Sequence, residues 1–189
     1  MNKPALREYI NSIFPNLDGQ SIDTILLQAT YLPYTKGTEL ITEGKRHHYF
    51  YLIIEGGVKS YYYKQSKEIC LWFAFENEVV STIKTFEGEP SNETIELLTD
   101  SKLIRFKTAP IKELAQNDLS ISNWIIELIT DHAVFLEERL YGLQFMTSHE
   151  RYKELINVAP EILQKVSITD IASFLGVSRE TLSRIRAKK

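Results

Sequence analysis

The spacing of apolar residues predicts helices at both ends of the chain and short strands between them. Apolar side chains recur every three or four positions at the start of the chain, which predicts a helix that ends at Pro15. The residues of its apolar face are Leu6, Tyr9, Ile10 and Ile13. A second short helix is predicted from about Ser21, a candidate N-cap, to Ala29.

The middle of the chain, from Tyr31 to about Lys107, has the pattern of an antiparallel β-structure. Short runs of β-branched and aromatic residues alternate there with Gly, Asn or charged residues, at 49–54, 58–63, 69–75, 94–98 and 103–106. Evenly spaced short strands predict a sandwich or barrel rather than a parallel sheet with crossover helices. The Gly56-Gly57 pair lies between two of these runs and predicts a hairpin turn.

Residues 119–146 predict one long helix with two apolar faces, because this stretch contains no proline. One face has the period of a coiled coil, about 3.5 residues, and consists of Ile126, Ile129, Ala133, Leu136, Leu140 and Leu143. The other consists of Ile121, Trp124, Leu128 and Phe135. A single core helix packed on both sides is the alternative. The regular repeat favours a seam between two copies of the chain, with the other face packed on the β-domain.

Residues 168–185 have the pattern of a helix-turn-helix. Thr169 is a candidate N-cap of the first helix, Gly176 supplies the left-handed residue of a tight turn, and Ser178 is a candidate N-cap of the second helix. The outer face of the second helix is polar and basic, with Arg179, Glu180, Ser183, Arg184 and Arg186. An ordinary helical hairpin with a solvated charged face is the alternative.

The charge distribution supports a C-terminus that binds a polyanion. The chain has a net charge of −3, but residues 178–189 hold five basic residues and one acidic residue, a net charge of +4. The first 177 residues therefore carry −7. An acidic body with a basic end indicates that this end meets nucleic acid.

Composition narrows the class of protein further. With 43% hydrophobic and 25% charged residues the chain is globular, and no run is apolar for the length of a membrane span. The first residues contain no apolar signal core, so a cytoplasmic location is expected. The single cysteine, Cys70, excludes an internal disulfide, a cysteine zinc site and a cysteine-ligated iron–sulfur cluster.

No pattern of catalytic or metal-ligating residues appears in the sequence. Neither a nucleophile–base pair nor a glycine-rich phosphate loop is present, so we expect no enzyme activity and no cofactor. His47 and His48 are adjacent rather than spaced as metal ligands, and Asp131 and His132 are expected on a solvated face of the long helix. No metal site is predicted.

The helix-turn-helix at 171–185 resembles the recognition hairpin of the Crp/Fnr transcriptional regulators. The resemblance continues upstream into the glycine-punctuated β-roll of that family's cyclic-nucleotide-binding-like sensor domain. The similar residues are Leu32-Pro33, Lys36-Gly37, Glu43-Gly44, Tyr49-Phe50, Ile53 and Gly56-Gly57-Val58. The family's long dimerisation helix falls on 119–146, so the resemblance covers roughly residues 30–189 in the family's order.

The resemblance implies an α+β chain in three parts. These are an antiparallel β-roll of the double-stranded jelly-roll type at 1–117, a dimerisation helix at 118–146 and an all-α helix-turn-helix domain at 147–189. Family members usually continue into a small β-wing after the recognition helix, and this chain is expected to lack it because the sequence ends at Lys189. Gly142 and Thr147-Ser148 are predicted hinge positions between the long helix and the helix-turn-helix.

The implied function is a homodimeric transcription regulator that reads a pseudo-palindromic operator through a recognition helix at 178–188. The implied partners are double-stranded DNA, a second copy of the chain, an unidentified small-molecule effector and RNA polymerase. The alternative is a ligand-sensing or protein-interaction module whose helix-turn-helix no longer binds DNA.

The resemblance also implies which residues touch DNA. Those implied to read bases in the major groove are Arg179, Glu180, Thr181 and Arg184. Arginine can bind guanine O6 and N7, and glutamate can accept a hydrogen bond from cytosine N4. Contacts to phosphate, which position the protein without reading sequence, are expected from Thr169, Ser178, Lys188 and Lys189. Ser183 and Arg186 complete the predicted surface.

The chain departs from the family at the ligand pocket. A cyclic-nucleotide binder of this family carries Gly-Glu for the ribose and Arg-Ser or Arg-Thr for the cyclic phosphate. Here those positions hold Ser81-Thr82 and Ser91-Asn92, with Lys84 nearby. A buried phosphate would lack its arginine partner, so cyclic AMP is not the expected effector. These five residues are the predicted effector pocket.

Overall fold

Residues 2–187, which the computed structural model describes, form eight β-strands and nine α-helices. The strands are β1 (Ala29–Tyr34), β2 (Glu39–Ile41), β3 (Tyr49–Glu55), β4 (Val58–Lys64), β5 (Lys67–Ala74), β6 (Val79–Val80), β7 (Thr94–Leu97) and β8 (Ser101–Lys107). The helices are α1 (Lys3–Ile13), α2 (Gly19–Leu26), α3 (Ile83–Glu87), α4 (Thr108–Ala115), α5 (Leu119–Phe145), α6 (Ser148–Val158), α7 (Ile162–Lys165), α8 (Ile168–Phe174) and α9 (Arg179–Ala187).

The strands form two antiparallel four-stranded sheets. The order is β1-β8-β3-β6 in the first sheet and β2-β7-β4-β5 in the second. Successive side chains of a strand point to opposite faces, so each sheet directs one set of apolar residues toward the other sheet. Ile53 of β3, Val58 of β4 and Ile95 of β7 meet in one buried cluster between the sheets. This arrangement is a β-roll.

The predicted hairpin at Gly56-Gly57 is wrong. Strand β3 lies in the first sheet and β4 in the second, so the two glycines form a corner between sheets. Gly56 has a φ of 115°, and a Cβ there would lie 2.7 Å from the Cβ of Ser101. A Cβ on Gly57 would lie 2.8 Å from the Phe75 ring. Glycine suits a corner between sheets as well as a hairpin turn, because both require unusual φ values or close contacts with the backbone. A glycine pair in the sequence therefore does not distinguish the two structures.

The second helix differs from its prediction at both ends. Asp18, and not Ser21, is the N-cap, because one Asp18 carboxylate oxygen accepts hydrogen bonds from the amides of Gln20 and Ser21, each at 2.9 Å. The Ser21 hydroxyl instead donates to the carboxylates of Asp18 and Asp118. Ala29 is not helical, since its pairing with Phe106 of β8 places it at the start of β1. Cross-strand pairing here outweighs the helical spacing of the apolar residues.

The apolar pattern did not predict three of the strands, β1, β2 and β6. Strand β1 contains Pro33, which a sheet tolerates at its edge, and β1 is an edge strand. Strands β2 and β6 have three and two residues, too few to show an alternating pattern. The first helix agrees with its prediction: α1 ends at Ile13, just before Pro15, and buries Leu6 and Ile10.

Helix α5 is the predicted long helix. It has 27 residues, and Asp118 caps it by accepting a hydrogen bond from the Ile121 amide at 3.1 Å. Ile121 and Trp124 are buried against the β-roll, where the Trp124 ring lies 5.6 Å from that of Phe14 and 6.0 Å from that of Phe50. The predicted packing of this face on the β-domain is therefore confirmed at Ile121 and Trp124, and Leu128 packs against the same core, whereas Phe135 does not belong to it.

Helices α6 to α9 form a smaller core that continues into the β-roll. Leu182, Ile162 and Ile171 are buried in it together with Phe75 and Leu98 of the roll. Helix α8 lies beside β5, the edge strand of the second sheet, and the Ser173 hydroxyl accepts a hydrogen bond from the Cys70 amide at 2.9 Å. The helices thus cover a strand edge that would otherwise expose unpaired backbone groups.

The predicted fold class is confirmed: an antiparallel β-roll, a long helix and C-terminal helices follow one another in the expected order. Within residues 2–187, no helix is both long enough and apolar enough to span a membrane.

Candidate nucleic-acid interface and sensor site

Helices α8 and α9 form a helix-turn-helix whose turn depends on Gly176. Gly176 has a φ of 69°, a conformation that glycine adopts without steric cost. The turn closes through a hydrogen bond from the Val177 amide to the Ala172 carbonyl at 3.0 Å. Ile171 and Leu182 are buried on the inner faces of the two helices. The predicted roles of Gly176 and of the apolar positions are confirmed.

One of the two predicted N-caps is correct. The Ser178 hydroxyl accepts a hydrogen bond from the Thr181 amide at 3.1 Å, so Ser178 caps α9. Thr169 does not cap α8. The cap is Ser167, whose hydroxyl accepts from the Asp170 amide at 3.1 Å, and Thr169 lies exposed in the first turn. Ser167 rather than Thr169 is the cap because an N-cap directly precedes the first helical residue, which here is Ile168.

The outer face of α9 gathers charged and polar side chains. Arg179, Glu180, Ser183 and Arg184 are exposed and line one shallow concave surface, and Arg186 is exposed one turn later. We call the first four the recognition surface. Thr181 is half-buried, with its hydroxyl within 3.4 Å of the Arg184 guanidinium. Lys188 and Lys189, the predicted phosphate contacts, lie outside the described residues.

The recognition surface carries both signs of charge at neutral pH. Hydrogen bonding by its own backbone amide and by Ser178 lowers the pKa of Glu180, and the two arginines act in the same direction. Glu180 is therefore ionised beside two cations. An exposed carboxylate and two guanidinium groups offer both acceptors and donors to base edges in a major groove.

Two arginines outside the motif hold the helix-turn-helix against the long helix. Arg139 of α5 donates to the Phe174 carbonyl at 2.9 Å, and its guanidinium lies 4.0 Å above the Phe174 ring. Arg151 of α6 donates to the Leu175 carbonyl at 2.9 Å and to the Met146 carbonyl at 2.7 Å. Both cations bind the C-terminal carbonyls of α8, where the helix dipole is negative. Sequence reasoning missed them because their partners are backbone atoms far along the chain.

The predicted seam on α5 is exposed in the single chain. Leu136 is 48% exposed and Leu140 56%, although both are large apolar residues. The six predicted positions, all exposed, are Ile126, Ile129, Ala133, Leu136, Leu140 and Leu143. A continuous apolar strip of this kind on a monomer is typical of a surface that another protein covers.

The predicted effector pocket does not form a single site. Ser81 and Thr82 line a cavity of 340 Å³ between the β-roll, α3 and α5, and Thr82 also caps α3. The Lys84 ammonium instead binds the Glu87 carboxylate at 2.8 Å. Ser91 is buried in a different turn, where its hydroxyl donates to the Glu93 carbonyl at 2.6 Å. Asn92 is exposed.

Sequence reasoning missed Glu93, which directs a carboxylate into the roll beside the predicted phosphate position. One of its oxygens accepts hydrogen bonds from the Trp72 indole, at 2.9 Å, and from the Ser60 hydroxyl. Burial raises the pKa of Glu93, although both hydrogen bonds act to lower it. The nearest signal in the sequence was its position directly after Ser91-Asn92, but only the fold shows that the side chain points inward.

Part of the chain matches one protein family, and most of the chain is similar to several solved structures. Residues 31–118, from β1 to the cap of α5, match the model of the cyclic nucleotide-binding domain. No curated protein sequence matches the chain. Among solved structures, FixK2 from Bradyrhizobium japonicum is 21% identical over 85% of this chain and 83% of its own, with a TM-score of 0.70. The chain has the Crp/Fnr fold.

Two other Crp/Fnr structures also share this fold. The c-di-GMP-responsive regulator CLP of Xanthomonas campestris is 18% identical over 90% of this chain and 91% of its own, with a TM-score of 0.68. The catabolite activator protein of Thermus thermophilus is 17% identical over 93% of this chain and 84% of its own, with a TM-score of 0.59. At these identities the likeness establishes the Crp/Fnr fold, and function is argued from the site.

Proposed function

We propose that this Crp/Fnr-type chain is a homodimeric transcription regulator that binds a pseudo-palindromic DNA operator through its recognition helix at 178–188. The observation that carries the proposal is the recognition surface on α9. Two arginines and a glutamate lie exposed there, on a helix whose opposite face is buried through Leu182 and Ile185. A helix held in this way can enter a major groove with its N-terminal half.

The exposed seam on α5 supports the dimeric part of the proposal. Two chains related by a two-fold axis along α5 would bury Ile126, Leu136, Leu140 and their neighbours against the same residues of the partner. Their recognition helices would then face two half-sites about one turn of DNA apart. A pseudo-palindromic operator is the sequence that such a dimer reads.

Reorientation of the recognition helices is proposed to occur about residues 146–148. Met146 is extended between α5 and α6, and Thr147 caps α6 through a reciprocal pair of hydrogen bonds with Glu150. The predicted hinge at Thr147-Ser148 thus falls at a junction of two helices. Gly142 lies inside α5, one turn before its end, where its carbonyl is bonded to the Met146 amide.

Selection of bound sequences from a random DNA pool tests the proposal. We expect the selected sequences to be inverted repeats whose half-sites lie about 10 base pairs apart, centre to centre. Binding to random duplex should be weaker, and the logarithm of its affinity should fall linearly with the logarithm of the salt concentration. A chain that binds neither selected nor random DNA at low salt would instead be a sensing or interaction module.

Cyclic AMP is not the proposed effector. Glu93 holds a carboxylate beside the predicted phosphate position, and the predicted pocket residues supply no arginine there. An anionic phosphate would meet a carboxylate and lose its hydration without gaining a cation. We therefore expect millimolar cyclic AMP to leave both the melting temperature and the DNA affinity unchanged. A rise of several degrees in the melting temperature would contradict this prediction.

A further inference from the structure

The cavity between the β-roll, α3 and α5 has the size and lining of a small-molecule site. Its volume of 340 Å³ falls within the usual range of ligand pockets, about 300–1,000 Å³. Most of its wall is aromatic or aliphatic, including Phe14, Phe73, Phe86, Ile125, Leu128 and Phe135. It shares no lining residue with the recognition surface.

The polar groups of this cavity are acidic or neutral. Glu78 and Asp131 are the charged residues among its lining residues, which include no Lys or Arg of the described part of the chain. Burial raises the pKa of Glu78, whose carboxylate accepts a hydrogen bond from the Phe75 amide at 2.9 Å. Burial lowers the pKa of His132, so this imidazole is neutral at pH 7. An anion that entered would lose water without meeting a cation.

The cavity is lined by residues of the β-roll, of α3 and of the predicted seam on α5. Trp72 forms part of its wall and binds the Glu93 carboxylate through the indole N–H. Thr82 and Ile83 belong to the start of α3, and Ile129 belongs both to the wall and to the predicted seam. A molecule bound here would contact the roll, α3 and α5 at once.

We infer that this cavity binds a neutral, largely aromatic small molecule. Binding of this molecule requires no DNA and so does not depend on the proposed function. Only its role as an effector of DNA binding rests on that function. The aromatic wall supplies apolar and stacking contacts, and His132, Ser81 and Thr82 supply a few hydrogen-bonding groups. The two carboxylates select against anions such as nucleotides.

Two dyes with the same ring system test this selectivity. N-phenyl-1-naphthylamine is neutral, whereas 8-anilinonaphthalene-1-sulfonate adds one sulfonate, and both fluoresce more strongly in apolar surroundings. In titrations of the full chain at pH 7, we expect the neutral dye to saturate at one molecule per chain. The sulfonated dye should bind about tenfold more weakly or worse, because its sulfonate loses water without meeting a cation and lies beside two carboxylates.

Variants of the chain test whether the neutral dye binds in this cavity. Leu128→Trp fills the cavity and should abolish saturable binding, whereas Val134→Trp, on an exposed part of the same helix, should leave it unchanged. The double variant Glu78→Gln, Asp131→Asn removes both carboxylates. It should reduce the difference in affinity between the two dyes to about threefold, because the repulsion by the carboxylates is removed while the cost of desolvating the sulfonate remains. Circular dichroism melts show whether each variant is folded.

Three results would overturn the inference. They are equal affinities of the two dyes for the wild-type chain, retention of binding in Leu128→Trp, and loss of dye binding as rising protein concentration drives dimerisation. The last would show that a segment of the partner chain fills the cavity. If Leu128→Trp does not fold, the carboxylate variant still decides, since unchanged selectivity there contradicts the proposed lining. A chain that binds the neutral dye but no DNA would refute the proposed function alone.

Discussion

Glu93 shows how one partly buried carboxylate depends on its neighbours. Its oxygen accepts hydrogen bonds from the partly buried Trp72 indole and from the buried Ser60 hydroxyl, and both donors would lose this partner without it. We expect Glu93→Ala to lower the free energy of unfolding by about 1–3 kcal/mol, the usual cost of unsatisfied buried groups. Glu93→Gln keeps an acceptor and should cost less. Glu89→Ala, an exposed control, should change the free energy by less than about 0.5 kcal/mol.

The same residue gives the stability of the chain a dependence on pH. Burial raises the pKa of Glu93 in the folded chain, so the folded state retains a proton at a pH where the unfolded state has lost it. The wild-type chain should therefore lose stability relative to Glu93→Gln as the pH rises from about 4.3 through the raised pKa. Urea denaturation of both proteins across this range measures the difference. Parallel curves would contradict the assignment.

Alanine variants of Arg179 and Arg186 distinguish contacts that read DNA bases from contacts that only attract the phosphate charge. Both are exposed on α9, but only Arg179 belongs to the recognition surface. On a selected operator, Arg179→Ala should cost about 1–3 kcal/mol of binding free energy and relax the preference at one base pair. Arg186→Ala should weaken operator and random DNA by the same factor and lower the salt slope by about one. Titrations of both DNAs at two salt concentrations distinguish these outcomes; equal loss on both DNAs for Arg179→Ala would make it a phosphate contact.

Helix α5 carries two apolar faces, one buried and one exposed. Ile121 and Trp124 are buried against the roll, whereas Leu136 is 48% exposed and available to a second chain. We expect Leu136→Asp to produce monomers in sedimentation experiments, because two carboxylates would face each other in an apolar interface. Val134→Asp is a matched control, since Val134 is 47% exposed on the same helix but off the seam. A wild-type chain that sediments as a monomer at micromolar concentration would end the dimer hypothesis.

The roll and the C-terminal helices are joined by polar contacts across their boundary. The Lys165 ammonium binds the Glu76 carboxylate at 2.7 Å, and the Cys70 amide of edge strand β5 donates to Ser173 of α8. The pKa of Glu76 is lowered: burial acts to raise it, but hydrogen bonds from Lys165 and from the Gly56 amide outweigh burial. The pair is partly exposed, so we assign it only about 1 kcal/mol.

Hydrogen exchange at Cys70 reports whether this boundary opens. Loss of about 1 kcal/mol in Lys165→Ala should speed exchange of the Cys70 amide roughly fivefold at pH 7. Arg7→Ala removes an exposed ion pair with Asp23 that joins α1 to α2, and should leave that amide unchanged. Equal acceleration in both variants would mean that the whole chain, rather than the boundary, had been destabilised.

The sequence by itself determined the features that depend on local spacing. The apolar repeat of α5, the glycine turn and the serine cap of α9, and the five strands with alternating or continuous apolar runs follow from neighbours within a few residues. The Crp/Fnr resemblance was also readable, since it depends on the order of these local patterns. The polar face of α9 could be assigned because Leu182 and Ile185 define its buried side.

Only the tertiary structure decided which distant groups meet. Gly56-Gly57 forms a corner because β3 and β4 pair with β8 and β7 rather than with each other. Asp18 caps α2 although the sequence also offered Ser21, and Arg139 and Arg151 bind carbonyls of α8 that no spacing rule connects to them. Glu93, just before β7, meets Trp72 of β5 across the intervening strand β4, although they are 21 positions apart in the sequence. Hydrogen bonds and burial between such residues depend on how the sheets pack, which local periodicity does not encode.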